Sequence, residues 1–273
     1  MPDPRPLLAH LGLTHRPAAD AEGLRAVHRA YVSRVPYEAL AVQLGEAGPL
    51  DPEALAARIL SGRGGYCFEV NTVLHDLLTA LGFAVQRRAA IVGDRGAHAR
   101  GEPVNHLALV VTAAGGEYLA DAGWGEGPLD PVPLRPGAFR VGPLAWEVAR
   151  EDGGWWVGQH RWGSSPGFRF ADGALDLAAF APHHERLSAR PDSPFVRTLV
   201  VQRPHADRIV TLRARTRTVR GPGHDERAVL AGPQDFTAAL RDDFGIPAAA
   251  LGPRRLARLW ALACAQHEAH AGG

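Results

Sequence analysis

The sequence has no lysine: all 30 of its basic residues are arginine. That excludes a lysine Schiff base, a phosphate-binding loop ending in lysine and a serine–lysine catalytic pair. Cysteine is scarce as well; Cys67 and Cys264 are the only two in 273 residues, too few for a disulfide framework. No set of Cys and His has zinc spacing, so no metal is expected. No apolar run approaches the roughly 18 residues of a membrane span, and Met1-Pro2-Asp3-Pro4-Arg5 lacks the charged-then-apolar start of a signal peptide. A net charge of +1 offers neither a nucleic-acid surface nor an acidic tail. The expectation is a cytoplasmic protein, its thiols reduced, without nucleic-acid or membrane partners.

What is present centres on residues 62–74. Gly64 and Gly65 allow a tight turn just before Cys67. Val70, Val73, Leu74, Leu77, Leu78 and Leu81 then recur at helical spacing, and Gly82 is a C′ stop. Cys67 therefore falls at a helix N-terminus, where free N–H groups and the helix dipole favour a thiolate. Taken alone it reads equally as a buried structural thiol.

Downstream, residues 104–111 alternate as a strand, 112–116 read as a turn, and 117–124 as the returning strand. Pairing Val111 with Gly116 across a four-residue loop sets His106 opposite Asp121 on one face. A carboxylate there fixes the imidazole tautomer and leaves the other ring nitrogen for a nucleophile. Cys67, His106 and Asp121 would then form a constellation for acyl transfer.

Residues 1–85 are helical in pattern: a short helix over Leu7, Leu8 and Leu11, another over 21–33 with Leu24, Val27, His28 and Tyr31 on one face, and a third begun by Asp51 as N-cap and Pro52. Residues 86–185 carry strand-like runs at 85–92, 104–111, 118–122, 155–159 and 167–170, the spacing of a small antiparallel barrel or sandwich. In 186–273, residues 195–202 and 208–216 read as strands, the second with Arg213, Arg215 and Arg217 on a solvated face, followed by helices over 233–245 and 252–269. Cys264 falls with Leu256, Leu259, Trp260 and Ala263 on an apolar stripe of the last helix. Loop 93–101 is rich in glycine and arginine, a composition that can bind phosphates.

These residues resemble the arylamine N-acetyltransferases. Arg63-Gly64-Gly65-Tyr66-Cys67 looks like that family's cysteine signature, 104–111 like its histidine strand and Asp121-Ala122-Gly123-Trp124-Gly125 like its aspartate turn. Val35-Pro36-Tyr37-Glu38, Pro191-Asp192-Ser193-Pro194-Phe195 and Phe244-Gly245-Ile246 extend the likeness over nearly the whole chain.

The resemblance implies an α+β fold with a cysteine-protease-like core: a helical bundle (1–85) carrying the catalytic cysteine, an antiparallel β-barrel (86–185) carrying the histidine and aspartate, and an α/β lid (186–273). It implies acetyl transfer from acetyl-CoA, a co-substrate rather than a bound cofactor, to an aromatic amine or hydrazine through an acetyl-cysteine. Tyr37, Phe68, Trp124 and Gly125 would line the amine pocket; Arg95, Gly96, Arg100 and Gly101 would meet the coenzyme A diphosphate; Glu38 and Arg63 would brace the cysteine loop. The chain departs from the family pattern at Ala39, usually asparagine, and at Tyr37 and Trp124, more often phenylalanine. The rivals are an amide synthase of the same fold, taking a polyketide acyl chain from an acyl carrier protein, and a cysteine hydrolase or transglutaminase-like enzyme.

Overall fold

The structure, a computed structural model, describes residues 3–271. Its helical segment opens with α1 (Arg5–His10) and α2 (Ala21–Arg34). Asp20 caps α2 by accepting from the Gly23 N–H at 2.8 Å, and Leu24, Val27, His28 and Tyr31 all lie on its buried face. A two-residue strand β1 (Tyr37–Glu38) and a short α3 (Leu40–Leu44) follow. Asp51 caps α4 (Pro52–Leu60) through the Glu53 N–H, with Pro52 at the first helical position. Then comes α5 (Cys67–Leu81), ended by Gly82 at φ 101°. Twelve of its 15 residues are buried. Such an element is buried nearly all round because protein lies against every side of it.

The strands β2 (Ala84–Val92), β3 (His106–Ala113), β4 (Gly116–Leu119), β5 (Val132–Pro133), β6 (Gly137–Val141), β7 (Leu144–Glu151), β8 (Gly154–Gly158) and β9 (Gly167–Ala174) form one antiparallel, barrel-like sheet. Their order is β5-β4-β3-β2-β9-β8-β7-β6. Strand β3 is buried on both faces. Leu107, Leu109 and Val111 pack toward the helices, whereas Ala108 and Val110 join Trp146, Val157, Phe168 and Phe170 inside the sheet.

A 3₁₀ turn (Leu177–Phe180), α6 (Ala181–Ala189) and α7 (Pro194–Arg197) lead into β10 (Val200–Pro204), β11 (Ile209–Arg213), β12 (Thr216–Gly221) and β13 (His224–Val229), with α8 (Pro233–Asp242) and α9 (Ala248–Ala271) behind them. Gly252, at φ 72°, breaks the regularity of α9 just before Pro253. The second sheet runs β1-β10-β11-β12-β13. Its first strand comes from the helical segment, and Tyr37 pairs with Gln202. No helix among the described residues is long and apolar enough to cross a membrane.

Four local readings change. Residues 195–202 are not one strand: Ser193 caps a helical turn through the Phe195 N–H, Pro194 starts it, and the strand begins at Val200. Residues 208–216 are not one strand either, because the chain reverses at Ala214 (φ 50°) and Arg215. Arg215 therefore sits in the turn, stacked on Trp260, and Arg217 on β12 pairs with Asp243, instead of both lining a solvated face. Cys264 is half-buried, at the margin of a stripe in which Leu259 and Ala263 are buried and Leu256 and Trp260 pack against the same core.

The hairpin register also differs: Ala113 pairs with Gly116 and Val110 with Leu119 across a two-residue turn, Ala114 (φ 49°) and Gly115 (φ 75°). Positive φ at both central residues matches the twist of the flanking strands, so the short turn prevails over a four-residue loop. The shift is two residues, so the same side chains keep the same face. Asp121 lies beyond the end of β4 and is not directly opposite His106.

Candidate active site

The loop before Cys67 is held from beneath. Glu38 is 1% exposed, and its Oε1 lies 2.8 Å from Arg63 Nη2 and accepts from Arg63 Nε at 2.9 Å. The same oxygen takes the Gly64 N–H at 3.3 Å, and Oε2 takes the Leu40 N–H at 2.5 Å. Burial pushes the Glu38 carboxyl up, but Arg63, Arg58 and the Leu40 N–H outweigh it and hold it below its ordinary value. Ala39 has no side-chain donor, yet its N–H reaches the Val200 carbonyl at 3.1 Å and ties the same segment to β10. At the start of α5, Glu69 reaches back to the Tyr66 N–H at 3.1 Å and pairs with Arg58 at 2.8 Å. Cys67 thus enters the first helical turn on a braced backbone.

His106 Nε2 stands 2.6 Å from Asp121 Oδ2, both side chains 2% exposed. With Nε2–H donating to the carboxylate, Nδ1 is left for the Cys67 side chain, which is within hydrogen-bond reach of the imidazole. The Cys67 thiol also lies 3.6 Å from the Asn105 carbonyl. Burial alone would push the imidazole pKa down. The charge and hydrogen bond of Asp121, then Cys67, outweigh it and raise His106 to about 10.

Asp121 is held in turn. Its Oδ1 accepts from Asn71 Nδ2 at 2.7 Å and from the Gly123 N–H at 2.8 Å. Asn71 Oδ1 accepts from the Ala122 N–H at 3.0 Å, and Nδ2 also reaches the Leu107 carbonyl. Gly123 is packed so closely that a Cβ there would sit 2.6 Å from Cys67 Cα and 2.7 Å from Asn71 Nδ2. Gly123→Ala must part α5 from the aspartate turn. It is expected to cost about 1–3 kcal/mol in a urea melt and to slow iodoacetamide alkylation of Cys67.

Cys67 and His106 open onto a cavity of about 230 Å³, shared with Tyr37, Trp124, Gly125 and Phe195. Of the residues expected around it, Phe68 does not line it. Phe68 is fully buried behind Cys67 against Tyr66, Phe180 and His184. Arg95 and Arg100 are exposed and paired with carboxylates: Arg95 with Glu147 and Glu151 while stacked on Trp156, Arg100 with Asp94 and Glu102. Gly96 and Gly101 lie on the same loop, and none of these four lines the cysteine cavity. A second cavity of about 400 Å³ adjoins the first through Glu126, Ser164, Thr198 and Arg213, and is lined by Arg220, Arg227 and His267.

Sequence reasoning assigned no role to Asn71, Asn105 or Glu126. A signal existed for Asn71, a polar residue one helical turn after Cys67 on an otherwise apolar stripe. Asn105 exchanges two hydrogen bonds with Val92 across the mouth of the sheet, at 2.7 and 3.1 Å. Glu126 is 6% exposed. Burial pushes its carboxyl above the ordinary value, against the hydrogen bonds from Ser164, the charge of Arg213 and the Gln202 amide.

A family model described as N-acetyltransferase matches residues 20–251. The chain is 30% identical over 255 residues to the arylamine N-acetyltransferase of Mycolicibacterium smegmatis, covering 88% of this chain and 90% of that one. It is 30% identical over 150 residues to arylamine N-acetyltransferase 2 of Mus musculus, 54% of this chain and 52% of the mouse protein. It thus spans about half the length of the mammalian relatives it matches. The solved structure of Mycobacterium marinum arylamine N-acetyltransferase in complex with CoA superposes with a TM-score of 0.84 at 26% identity, over 95% of this chain and 99% of that one.

Proposed function

This chain belongs to the arylamine N-acetyltransferase family, and from that premise we propose that it moves an acetyl group from acetyl-CoA to an arylamine or arylhydrazine through Cys67. The observation that carries the reading is the chain of contacts from Asp121 through His106 to Cys67, set at a helix N-terminus and opening into a cavity.

His106 takes the Cys67 proton, and the imidazolium, steadied by Asp121, stands beside the thiolate. The sulfur attacks the thioester carbonyl while backbone N–H groups at the start of α5 receive the developing oxyanion. The carbon–sulfur bond to coenzyme A breaks, and the leaving thiolate takes a proton from His106. The amine then attacks the acetyl-cysteine, gives its proton to His106, and expels the Cys67 thiolate as the amide departs. Tyr37, Trp124 and Gly125 border the acceptor.

The donor's phosphates suit the adjoining cavity. Among the described residues Arg213, Arg220 and Arg227 line this cavity and form no ion pair, though the charge of Arg213 acts on Glu126, and their guanidinium groups can fork onto phosphate oxygens. The loop of Arg95, Gly96, Arg100 and Gly101 is the second candidate, and there the arginines must first leave their own carboxylates. A carrier-protein donor, as an amide synthase would use, has no observation in its favour.

The test is intact mass after incubation with acetyl-CoA alone. One acetyl adduct is expected on the wild type and none on Cys67→Ser. No adduct, in a folded protein whose Cys67 still alkylates, overturns acetyl transfer; rapid hydrolysis of the adduct without amine favours a hydrolase.

A further inference from the structure

Helix α2 is fastened to both sides of the cysteine site. Tyr31 gives its hydroxyl proton to the Val70 carbonyl at 2.9 Å, in the helix that begins with Cys67. His28, one turn earlier on the same buried face, reaches the other way: its Nδ1 lies 2.9 Å from the Leu129 carbonyl, in the loop that follows Asp121. Beside it Arg29 and Arg25 pair with Asp130 at 2.7 and 3.2 Å. Val32 packs with Trp124 and Leu129 in one cluster. Residues 121–130, which carry the carboxylate that meets His106, are thus gripped along α2.

His28 is 1% exposed. Burial pushes its imidazole below the ordinary value, against the Leu129 carbonyl and the charges of Asp121 and Asp130. A neutral imidazole holds one proton, and a carbonyl can only accept, so that proton sits on Nδ1. Nε2 makes no hydrogen bond among the described residues. The Asp121 carbonyl also faces the ring, which has no second proton to give it. A sealed ring with one nitrogen unused costs free energy that an apolar side chain of similar shape would not. What histidine adds at this place is a directional hold on the loop.

We propose that His28 is a positioning residue for the cysteine site: by donating from Nδ1 to the Leu129 carbonyl it fixes the loop of residues 121–130 on α2, and so holds the Asp121 carboxylate against His106. The proposal rests on the acyl-transfer reading and adds a residue that acts through Asp121. If the loop loosens, the carboxylate draws away, the imidazolium loses its support and Cys67 stays a thiol to higher pH.

The experiment is the pH profile of iodoacetamide alkylation in His28→Leu, His28→Asn and His28→Gln beside the wild-type residue, all on a Cys264→Ala background that leaves Cys67 as the one thiol, with a urea melt of each. Leucine fills the space and donates nothing. The asparagine amide can set an N–H where Nδ1 stood, whereas that of glutamine lies one bond further out. In His28→Leu and His28→Gln the midpoint is expected to rise by about one pH unit, slowing alkylation about tenfold near neutrality. His28→Asn is expected to keep the wild-type profile. Acetylation by acetyl-CoA should slow about 10- to 100-fold in His28→Leu, since the reacting groups are no longer held in place.

Urea midpoints that fall while all the profiles superpose would show that His28 only fills the core, and would overturn the proposal. Equal profiles for His28→Asn and His28→Gln overturn it as well, and this comparison serves even if His28→Leu does not fold. Because alkylation needs no acetyl-CoA, failure of the acyl-enzyme reading and failure of the His28 assignment are told apart.

Discussion

Asp121→Asn is expected to lower kcat/KM for acetyl transfer by about 10⁴-fold while leaving the protein folded. The new amide retains an oxygen for the Asn71 amide and the Gly123 N–H, so the turn keeps its shape. Its NH₂ must then face His106 Nε2, where the native carboxylate accepts at 2.6 Å. Nε2 becomes an acceptor, the proton moves to Nδ1, and the nitrogen aimed at Cys67 can no longer take the thiol proton. The charge that holds the imidazolium is lost in the same step. Retained activity within about tenfold of wild type would show that Asp121 merely fills space.

The variant also has a stability signature. His106 is raised from an ordinary 6.5 to about 10, so the folded wild type holds a proton that the unfolded chain releases. A raised pKa of this kind stabilises fully below pH 6.5 and loses its effect as the pH climbs through about 10. Without the carboxylate that stabilisation disappears. The gap in urea midpoint between wild type and Asp121→Asn is therefore widest below pH 6.5 and closes toward pH 10.

Arg63→Ala is expected to destabilise the fold by about 3–5 kcal/mol, because it leaves Glu38 ionised, buried and without its principal cation. The Leu40 and Gly64 N–H groups remain, and they do not supply a full charge. The loss should be greatest at neutral pH and smaller in mild acid, where protonation of Glu38 removes the stranded charge; the wild type, whose Glu38 titrates below its ordinary value, keeps its pair to lower pH. Removing both charges, as Glu38→Gln with Arg63→Gln, should recover most of the stability. If the double variant is as unstable as Arg63→Ala, packing and not charge explains the effect. Acetylation of Cys67 should slow in Arg63→Ala, since Glu38 also fastens the loop through the Gly64 N–H, and its own N–H reaches the Gly65 carbonyl.

How much of this could be read in advance follows how local each feature is. The helix of Cys67 is announced by an apolar stripe, by glycines before it and by Gly82 after it, all within one stretch of chain. The strand of His106 is equally plain, buried on both sides and rich in β-branched residues. The hairpin register was not plain: Ala114 taking a left-handed conformation beside Gly115 carries no strong signal, and the pairing moved by two residues. His106 still met Asp121 because a two-residue slip preserves the face and Asp121 swings in from beyond the strand.

The short helix at Pro194 was hidden inside an apolar run that reads as strand, although Ser193 and Pro194 form a start signal. Glu126 was invisible for a different reason. A lone glutamate in a glycine-rich turn looks solvated until Ser164 and Gln202, from distant parts of the chain, close over it.

The sequence by itself determined the proposed nucleophile, its helix and the residues that stand beside it, because residue type and short-range periodicity carry that information directly. It also determined what is excluded, from lysine chemistry to a disulfide framework. Only the tertiary structure decided what surrounds them: that Asn71 and Gly123 clamp the aspartate, that Phe68 packs behind the cysteine, that Arg95 and Arg100 are ion-paired with carboxylates whereas Arg213, Arg220 and Arg227 form no ion pair among the described residues, and that a buried acid borders two cavities. Such facts depend on which distant surfaces are pressed together and which charges lose their water, and no single stretch of the chain contains them.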